Sequence, residues 1–144
     1  MTYPASQSLP ILIVDDVEAT RALIRDMLEE MGYHHIIEAP DGREALEILY
    51  KTPVQLTLCD QVMNDMSGQE LLLRLRENPR LRDTPVIIVS ALSDVAEVES
   101  AMNLGASDYL IKPLSFRKLR RKVTDIIFRT APRQELLAEE CSSR

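Results

Sequence analysis

The sequence predicts an α/β fold in which helices cover both faces of a five-stranded parallel sheet. Five short runs rich in Val, Ile or Leu recur along the chain, and apolar runs of this length are typical of buried parallel strands. Segments with the apolar spacing of amphipathic helices separate these runs. Regular alternation of strand and helix predicts a parallel sheet with right-handed crossover connections.

The five predicted strands divide into central and edge strands. The second run is short and carries Glu38, and the fifth run is also short, so we expect both at the edges of the sheet. In chain order the predicted strands are Ile11–Val14, Ile36–Ala39, Val54–Cys59, Val86–Val89 and Asp108–Ile111.

Residues typical of helix ends delimit five predicted helices. Gly32 is a stop signal for the first helix and Asn78-Pro79 for the third. Asp41 and Ser67 are each followed three residues later by Glu, which predicts capping pairs that open the second and third helices, and Ser115 is a cap for the fifth. Apolar stripes are predicted at Ile24, Met27, Leu28 and Met31, at Leu71–Leu75, at Val95, Val98 and Met102, and at Phe116, Leu119, Val123, Ile126 and Ile127.

Composition and charge limit the class of protein. The 144 residues can bury a real core, and 45% hydrophobic with 28% charged residues is typical of a globular domain. The net charge of −6 argues against bulk nucleic-acid binding, and no apolar run is long enough to span a bilayer. Cys59 and Cys141 lack metal-site spacing. We expect a cytoplasmic domain over residues 9–129, a flexible N-terminus at 1–8, and a tail or the start of a linker at 130–144.

The residues that leave the predicted strands are polar and chemically related. Asp15 and Asp16 follow the first strand, Asp60 the third, Ser90 the fourth and Lys112 the fifth. Ligands of an open parallel sheet bind at the carboxyl ends of its strands. Three carboxylates, a hydroxyl and an ammonium are therefore predicted to meet at one edge.

This set of groups suits phosphoryl chemistry. Three ionised carboxylates opposite one ammonium leave an excess of negative charge that a divalent cation would neutralise. A few hard oxygen ligands with room for water favour Mg²⁺ over zinc. Magnesium beside a carboxylate and a Lys suits a phosphoryl group, so one carboxylate could be a nucleophile that forms an aspartyl phosphate. Ser90 and Lys112 would then contact phosphoryl oxygens.

Each of these residues also has a purely structural interpretation. Asp15 and Asp16 can cap the following helix, Asp60 can be a solvated loop residue, and Ser90 can form a turn. Lys112 can lie along the surface with its ammonium in water. Their co-location favours the functional interpretation, because four strand ends each deliver a residue type that phosphoryl transfer requires.

Four motifs in order resemble the response-regulator receiver domain of two-component signalling, the chemotaxis-type family. They are LIVDD at 12–16, CDQVMNDMSG at 59–68, VIIVSA at 86–91 and GASDYLIKPL at 105–114. The resemblance covers about residues 9–129. It implies the flavodoxin-like receiver fold, with strand order 2-1-3-4-5.

The resemblance implies a metal-binding set at the acidic edge. Asp16 and Asp60 would bind Mg²⁺ through their carboxylates and Val62 through its backbone carbonyl. Asp15 would act mainly through a bound water. Asp60 would also be the phosphoacceptor, taking the phosphoryl group from a phosphohistidine on a sensor histidine kinase or a histidine phosphotransfer protein.

The resemblance further implies a switch that reports phosphorylation. Lys112 would bridge to the phosphoryl group, Ser90 would be the switch hydroxyl, and Tyr109 the aromatic whose orientation changes with it. The peptide bond before Pro113 is usually cis in this family. The output would reach a downstream protein or a fused output domain, and such a domain assists only its own phosphorylation and dephosphorylation rather than turning over a separate substrate.

The loop after Asp60 departs from the family pattern. Receivers commonly have Met-Pro where this chain has Met63-Asn64, so the φ restraint that Pro imposes is absent. Asp65 adds a further charge to the same loop. We expect the loop to be less rigid, with Mg²⁺ binding retained.

The fifth predicted helix is strongly basic and has two interpretations. It is either a solvated polar face or a surface for an acidic partner or a second copy of the chain, with a homodimer formed through the fourth and fifth helices. Direct contact with nucleic acid is not expected, because no recognition-helix module follows. The cations are Arg117, Lys118, Arg120, Arg121 and Lys122.

Three rival functions remain to be weighed. A magnesium-dependent phosphohydrolase with an Asp nucleophile would need a second acid two residues after Asp15, where this chain has Val17. A flavin-binding relative would need a phosphate loop rich in Ser, Thr or Gly, where this chain has DDVEAT. A phosphorylation-independent pseudo-receiver that acts as a protein-binding module is the strongest rival, and the intact acidic set argues against it.

Overall fold

A computed structural model describes residues 9–130 as five parallel strands in one sheet, ordered β2-β1-β3-β4-β5. The predicted fold class and the strand order implied by the family resemblance are both confirmed. The strands are β1 (Ile11–Val14), β2 (Ile36–Ala39), β3 (Leu56–Asp60), β4 (Val86–Ser90) and β5 (Asp108–Ile111).

Five helices alternate with the strands, and their ends follow the sequence signals. Asp41, Ser67 and Ser115 each accept a hydrogen bond from the backbone N–H three residues later, which confirms the predicted N-caps. Gly32 adopts a φ of 100°, the left-handed region that suits Gly just beyond a helix. The helices are α1 (Glu18–Glu30), α2 (Gly42–Lys51), α3 (Gly68–Glu77), α4 (Val95–Asn103) and α5 (Phe116–Arg129).

Strands β2 and β5 lie at the two edges of the sheet, as predicted. Two strands differ from the prediction in their bounds: β3 begins at Leu56 rather than Val54, and β3 and β4 extend to Asp60 and Ser90. Both strands end one residue later than predicted because their last residues pair with a neighbouring strand. Asp60 aligns with Val89 of β4, and the Lys112 N–H donates to the Ser90 carbonyl at 2.9 Å. Asp60 and Ser90 are therefore held within the sheet and are not loop residues.

Alternate residues of each central strand enter two separate cores. In β1, Ile11 and Ile13 belong to the core that includes residues of α1 and α5, whereas Leu12 and Val14 belong to the core that includes residues of α2, α3 and α4. All four side chains are buried. Burial on both faces fixes the strand register, because a slip of one residue would exchange the two sets.

The predicted stripe of α4 is wrong at two of its three positions. Val98 packs against the core, but Val95 is 72% exposed and Met102 is 42% exposed. The helix instead buries Ala101, its only buried residue. When a helix has few apolar residues, their spacing does not fix its rotation about its own axis. Contact with the sheet then decides which residues face inward.

Two further predictions concern the ends of the chain. The flexible N-terminus predicted at 1–8 lies outside the described residues, as does the predicted tail apart from Thr130, which follows the last helix.

Within residues 9–130, no helix has the length and apolar character required to cross a membrane. The cytoplasmic location remains a prediction.

Candidate functional site

The carboxyl ends of the strands bring together the five residues that the sequence predicts. Asp15 and Asp16 directly follow β1, Asp60 ends β3, Ser90 ends β4 and Lys112 directly follows β5. Asp15 and Ser90 are each only 1% exposed, and Asp60 is 8% exposed. The site is thus built into the end of the sheet.

Three carboxylates form one cluster at this edge. Asp15, Asp16 and Asp60 each offer an oxygen that lies within 4.8 Å of the others, and Asp16 is the most exposed of the three. Asp15 Oδ1 accepts a hydrogen bond from the Val17 N–H at 2.9 Å, and Asp60 Oδ1 accepts one from the Val62 N–H at 3.4 Å. Closely spaced oxygens of this kind match the hard ligands that Mg²⁺ prefers.

Lys112 supplies positive charge to the two buried carboxylates. Its Nζ lies 3.1 Å from Asp15 Oδ2 and 3.3 Å from Asp60 Oδ2. The preceding β5 strand carries the side chain to the site, and the Lys112-Pro113 peptide bond is cis, as the family resemblance implied.

The surroundings of Asp60 and Lys112 raise the pKa of both groups. Burial raises the pKa of Asp60, Lys112 opposes the shift, and the charge of Asp15 adds to it. Burial alone would lower the pKa of Lys112, but its hydrogen bond to Asp15 and the charges of Asp60 and Asp15 raise it overall. Lys112 therefore stays protonated, while the carboxylates retain unbalanced negative charge.

Ser90 and Tyr109 are linked through the backbone of Leu92. Ser90 Oγ accepts a hydrogen bond from the Leu92 N–H at 3.1 Å, and the Tyr109 hydroxyl donates to the Leu92 carbonyl at 2.7 Å. Tyr109 is 7% exposed and therefore counts among the buried residues of the domain. The loop between β4 and α4 thus contacts both predicted switch residues.

The loop after Asp60 begins with a close backbone approach. The Gly68 N–H donates to the Gln61 carbonyl at 2.9 Å, and a Cβ at Gly68 would lie 2.5 Å from the Asp60 carbonyl oxygen. Only Gly fits this contact, because any side chain would collide with backbone. The Val62 side chain is 62% exposed at the mouth of the site.

Two residues that support the site were missed at the level of sequence. Arg21 of α1 donates from Nη1 to the Asp15 carbonyl at 2.6 Å and from Nε to Glu38 Oε1 at 3.0 Å. Asp65 accepts hydrogen bonds from backbone N–H groups of α2, whereas the sequence indicated only an extra charge. The contact of Arg21 with Glu38 and those of Asp65 with α2 depend on how strands and helices are placed side by side, and no local sequence signal marks them.

Comparison with known proteins identifies the family of the chain. The sequence profile described as the response regulator receiver domain matches residues 11–124. The chain belongs to this family. Response regulator receiver domains of the chemotaxis type are signalling modules of two-component systems, which agrees with the resemblance seen in the four motifs.

Several relatives of this receiver domain match it over most of their length. A chemotaxis protein CheY homolog of Campylobacter jejuni is 32% identical over 120 residues, which are 83% of this chain and 92% of the relative. The Francisella response regulator 1452 receiver domain has a TM-score of 0.78 and 32% identity, covering 85% of this chain and 98% of that one. The signal receiver domain of a signal transduction histidine kinase from Syntrophus aciditrophicus has a TM-score of 0.75 and 34% identity, covering 83% and 89%.

Proposed function

We propose that this receiver domain accepts a phosphoryl group on Asp60 from a phosphohistidine and switches a protein-interaction surface in response. The observation that carries the proposal is the placement of Asp60 between two further carboxylates and the Lys112 ammonium. An Asp60 carboxylate oxygen would form a bond to phosphorus as the phosphorus–nitrogen bond of the donor breaks, and the imidazole would leave with the bonding electron pair.

The residues at the acidic edge fit a magnesium ion. Asp16 and Asp60 would hold it through carboxylate oxygens and Val62 through its carbonyl, as the family resemblance implies. Both Asp15 oxygens already accept hydrogen bonds, from Val17 N–H and from Lys112, which supports an indirect role through water. When bound, Mg²⁺ neutralises carboxylate charge and attracts phosphoryl oxygens.

Lys112 and Ser90 are suited to hold the phosphoryl group after transfer. Lys112 lies beside Asp60 and can pair with a phosphoryl oxygen that replaces part of its contact with the carboxylate. Phosphorylation adds a charge of about −1.5 to −2 at this point. The Ser90 hydroxyl can donate to the new oxygens, because its proton is not needed for the hydrogen bond that it accepts from Leu92.

The contacts of Leu92 support a route from the site to the surface. Movement of Ser90 would pull the backbone to which the Tyr109 hydroxyl is bonded, and α4 begins three residues later at Val95. The surface of α4, β5 and α5 would then differ between two states, and a partner would respond by binding one state more tightly. Downstream proteins, a fused output domain and a second copy of the chain all fit this role.

Labelling with small phosphodonors tests the proposal. Incubation with acetyl phosphate and Mg²⁺ is expected to add one phosphoryl group by mass spectrometry, and beryllofluoride is expected to bind with the same metal dependence. Asp60→Asn should abolish the adduct, whereas Asp26→Asn, on the exposed face of α1, should leave it unchanged. An absent adduct on the unaltered protein would favour a phosphorylation-independent binding module instead. An equal adduct on Asp60→Asn would mean that another residue accepts the phosphoryl group, and would exclude Asp60 as the acceptor.

A further inference from the structure

The loop between β3 and α3 is hydrogen-bonded to the start of α2 through the side chain of Asp65. Asp65 Oδ1 accepts hydrogen bonds from the Gly42 N–H at 3.1 Å and the Met66 N–H at 2.9 Å, and Oδ2 accepts one from the Arg43 N–H at 2.8 Å. Gly42 and Arg43 form the first turn of α2, where backbone N–H groups have no partner within the helix. One carboxylate thus joins two elements that are distant in sequence.

Helix α2 already has a cap of its own, so the contact with Asp65 is additional. Asp41, the N-cap residue, accepts from the Glu44 N–H at 2.8 Å. The Asp65 carboxylate takes the two preceding N–H groups, at Gly42 and Arg43. Burial alone would raise the pKa of Asp65, but the backbone N–H groups of Arg43, Gly42 and Met66 lower it, so the carboxylate is ionised at neutral pH.

Close packing accompanies these hydrogen bonds. A Cβ at Gly42 would collide with the side chain of Met66, so the loop lies directly on the start of α2. At its other end the loop is closed by Gln61, whose side-chain Oε1 accepts from the Gln69 N–H at 2.9 Å and whose carbonyl accepts from Gly68. Val62 therefore lies between Asp60, which is fixed in β3, and Asp65, which is fixed to α2.

We infer that Asp65 is a positioning residue that sets the place of the Val62 carbonyl relative to Asp60. The inference rests on the proposed function, in which that carbonyl is a metal ligand. Asn64 stands where the family commonly has Pro, so no ring restrains the backbone of the loop. The contact with α2 supplies a restraint from outside the loop instead. This revises the expectation of a less rigid loop.

The competing explanation is that Asp65 only stabilises α2, and Asp41 provides the matched control. Both carboxylates bind N–H groups at the same helix end, but Asp41 lies in the chain leading into α2 and not in the β3–α3 loop. Asp41→Ala and Asp65→Ala therefore both remove acceptors from the helix end, and only Asp65→Ala also releases the loop. A helix cap by itself is expected to affect thermal stability alone.

The test combines amide hydrogen exchange with metal titration on the whole chain. In metal-free protein, Asp65→Ala is expected to increase exchange in residues 62–66, whereas Asp41→Ala leaves that segment as it is. By calorimetric titration with Mg²⁺, Asp65→Ala is expected to weaken binding about 10-fold, as the loss of supporting residues around metal sites typically does. Asp41→Ala should remain within about twofold of the unaltered protein.

The outcomes separate this inference from the proposed function. Equal exchange in the loop for both variants, with equal losses of melting temperature, would show that Asp65 is a helix cap and would overturn the inference. Increased loop exchange in Asp65→Ala with unchanged Mg²⁺ affinity would also overturn it. A failure of the unaltered protein to bind Mg²⁺ or to be labelled on Asp60 would instead remove the proposed function, and with it the ligand role on which the inference rests.

Discussion

The environment of Asp60 disfavours the ionised form of its carboxyl group. It lies beside Asp15 at the end of the sheet, and Lys112 compensates only part of the negative charge. Its pKa is raised from the usual value of 3.8, chiefly by burial. A carboxyl whose pKa is higher in the folded protein stabilises the fold below its unfolded pKa. That stability is lost as the pH rises through the folded value.

Asp60→Asn is therefore expected to stabilise the metal-free protein at neutral pH. In EDTA the variant should melt roughly 3 to 4 °C higher at pH 7, equivalent to about 1 kcal/mol. The difference should shrink as the pH falls through the raised pKa of Asp60 towards 3.8, because the native carboxyl becomes neutral. Thermal unfolding followed by circular dichroism at several pH values measures this. Glu99→Gln, on the exposed side of α4, removes the same charge and should show no such trend.

Some residues of the site could be predicted from the sequence and others could not. Asp15, Asp16, Asp60, Ser90 and Lys112 could be placed together because each adjoins a strand end, and parallel strands end at one edge. Asp65 and Arg21 could not, since each contacts an element that is brought near only by the fold. Their partners are the first turn of α2 for Asp65 and Glu38 of β2 for Arg21.

Helix α3 is held to two loops by the side chain of Arg76. Its Nε and Nη2 donate to the Gly105 carbonyl at 3.0 and 2.8 Å, and its Nη1 donates to the carbonyls of Arg82 and Thr84 at 3.0 and 2.8 Å. These carbonyls precede β5 and β4. One guanidinium thus joins α3 to the entry of both strands, and its planar fork can reach both directions at once.

Arg76→Lys is expected to cost about 2 kcal/mol of unfolding free energy, because one ammonium cannot replace donors that point in two directions. The loss should appear as a lower urea midpoint with an unchanged slope. Arg74→Lys on the same helix is the matched control, since Arg74 is exposed and should change stability by less than about 0.5 kcal/mol. A loss in the control equal to that of Arg76→Lys would mean that the loop contacts contribute nothing.

At the scale of the whole molecule, alternation of strands and helices was enough to predict a parallel sheet, and composition was enough to place β2 and β5 at its edges. The order β2-β1-β3-β4-β5 came from the family resemblance, because alternation fits several orders. The face that α4 turns inward was predicted wrongly at Val95 and Met102. Packing against the sheet decides that rotation, and a stripe of three apolar residues does not determine it.

Cys59 reports on the stability of the whole molecule because it lies in the central strand. It is fully buried, and its Sγ donates to the Asp60 carbonyl at 3.3 Å. Burial, followed by the charges of Asp60, Asp15 and Asp65, raises the pKa of the thiol, so the reactive thiolate is scarce while the sheet is intact. Reaction with a thiol reagent therefore requires the sheet to open.

In a Cys141→Ser background, labelling of Cys59 by a disulfide reagent is expected to be at least about a thousandfold slower than in the urea-unfolded chain, because global unfolding limits it. If β3 opens only with the whole molecule, Arg76→Lys should accelerate labelling about 30-fold, which corresponds to its loss of about 2 kcal/mol. Arg74→Lys should leave the rate unchanged. A rate in Arg76→Lys equal to that of the background protein would show that β3 opens locally, and the molecule would then not be a single cooperative unit around its central strand.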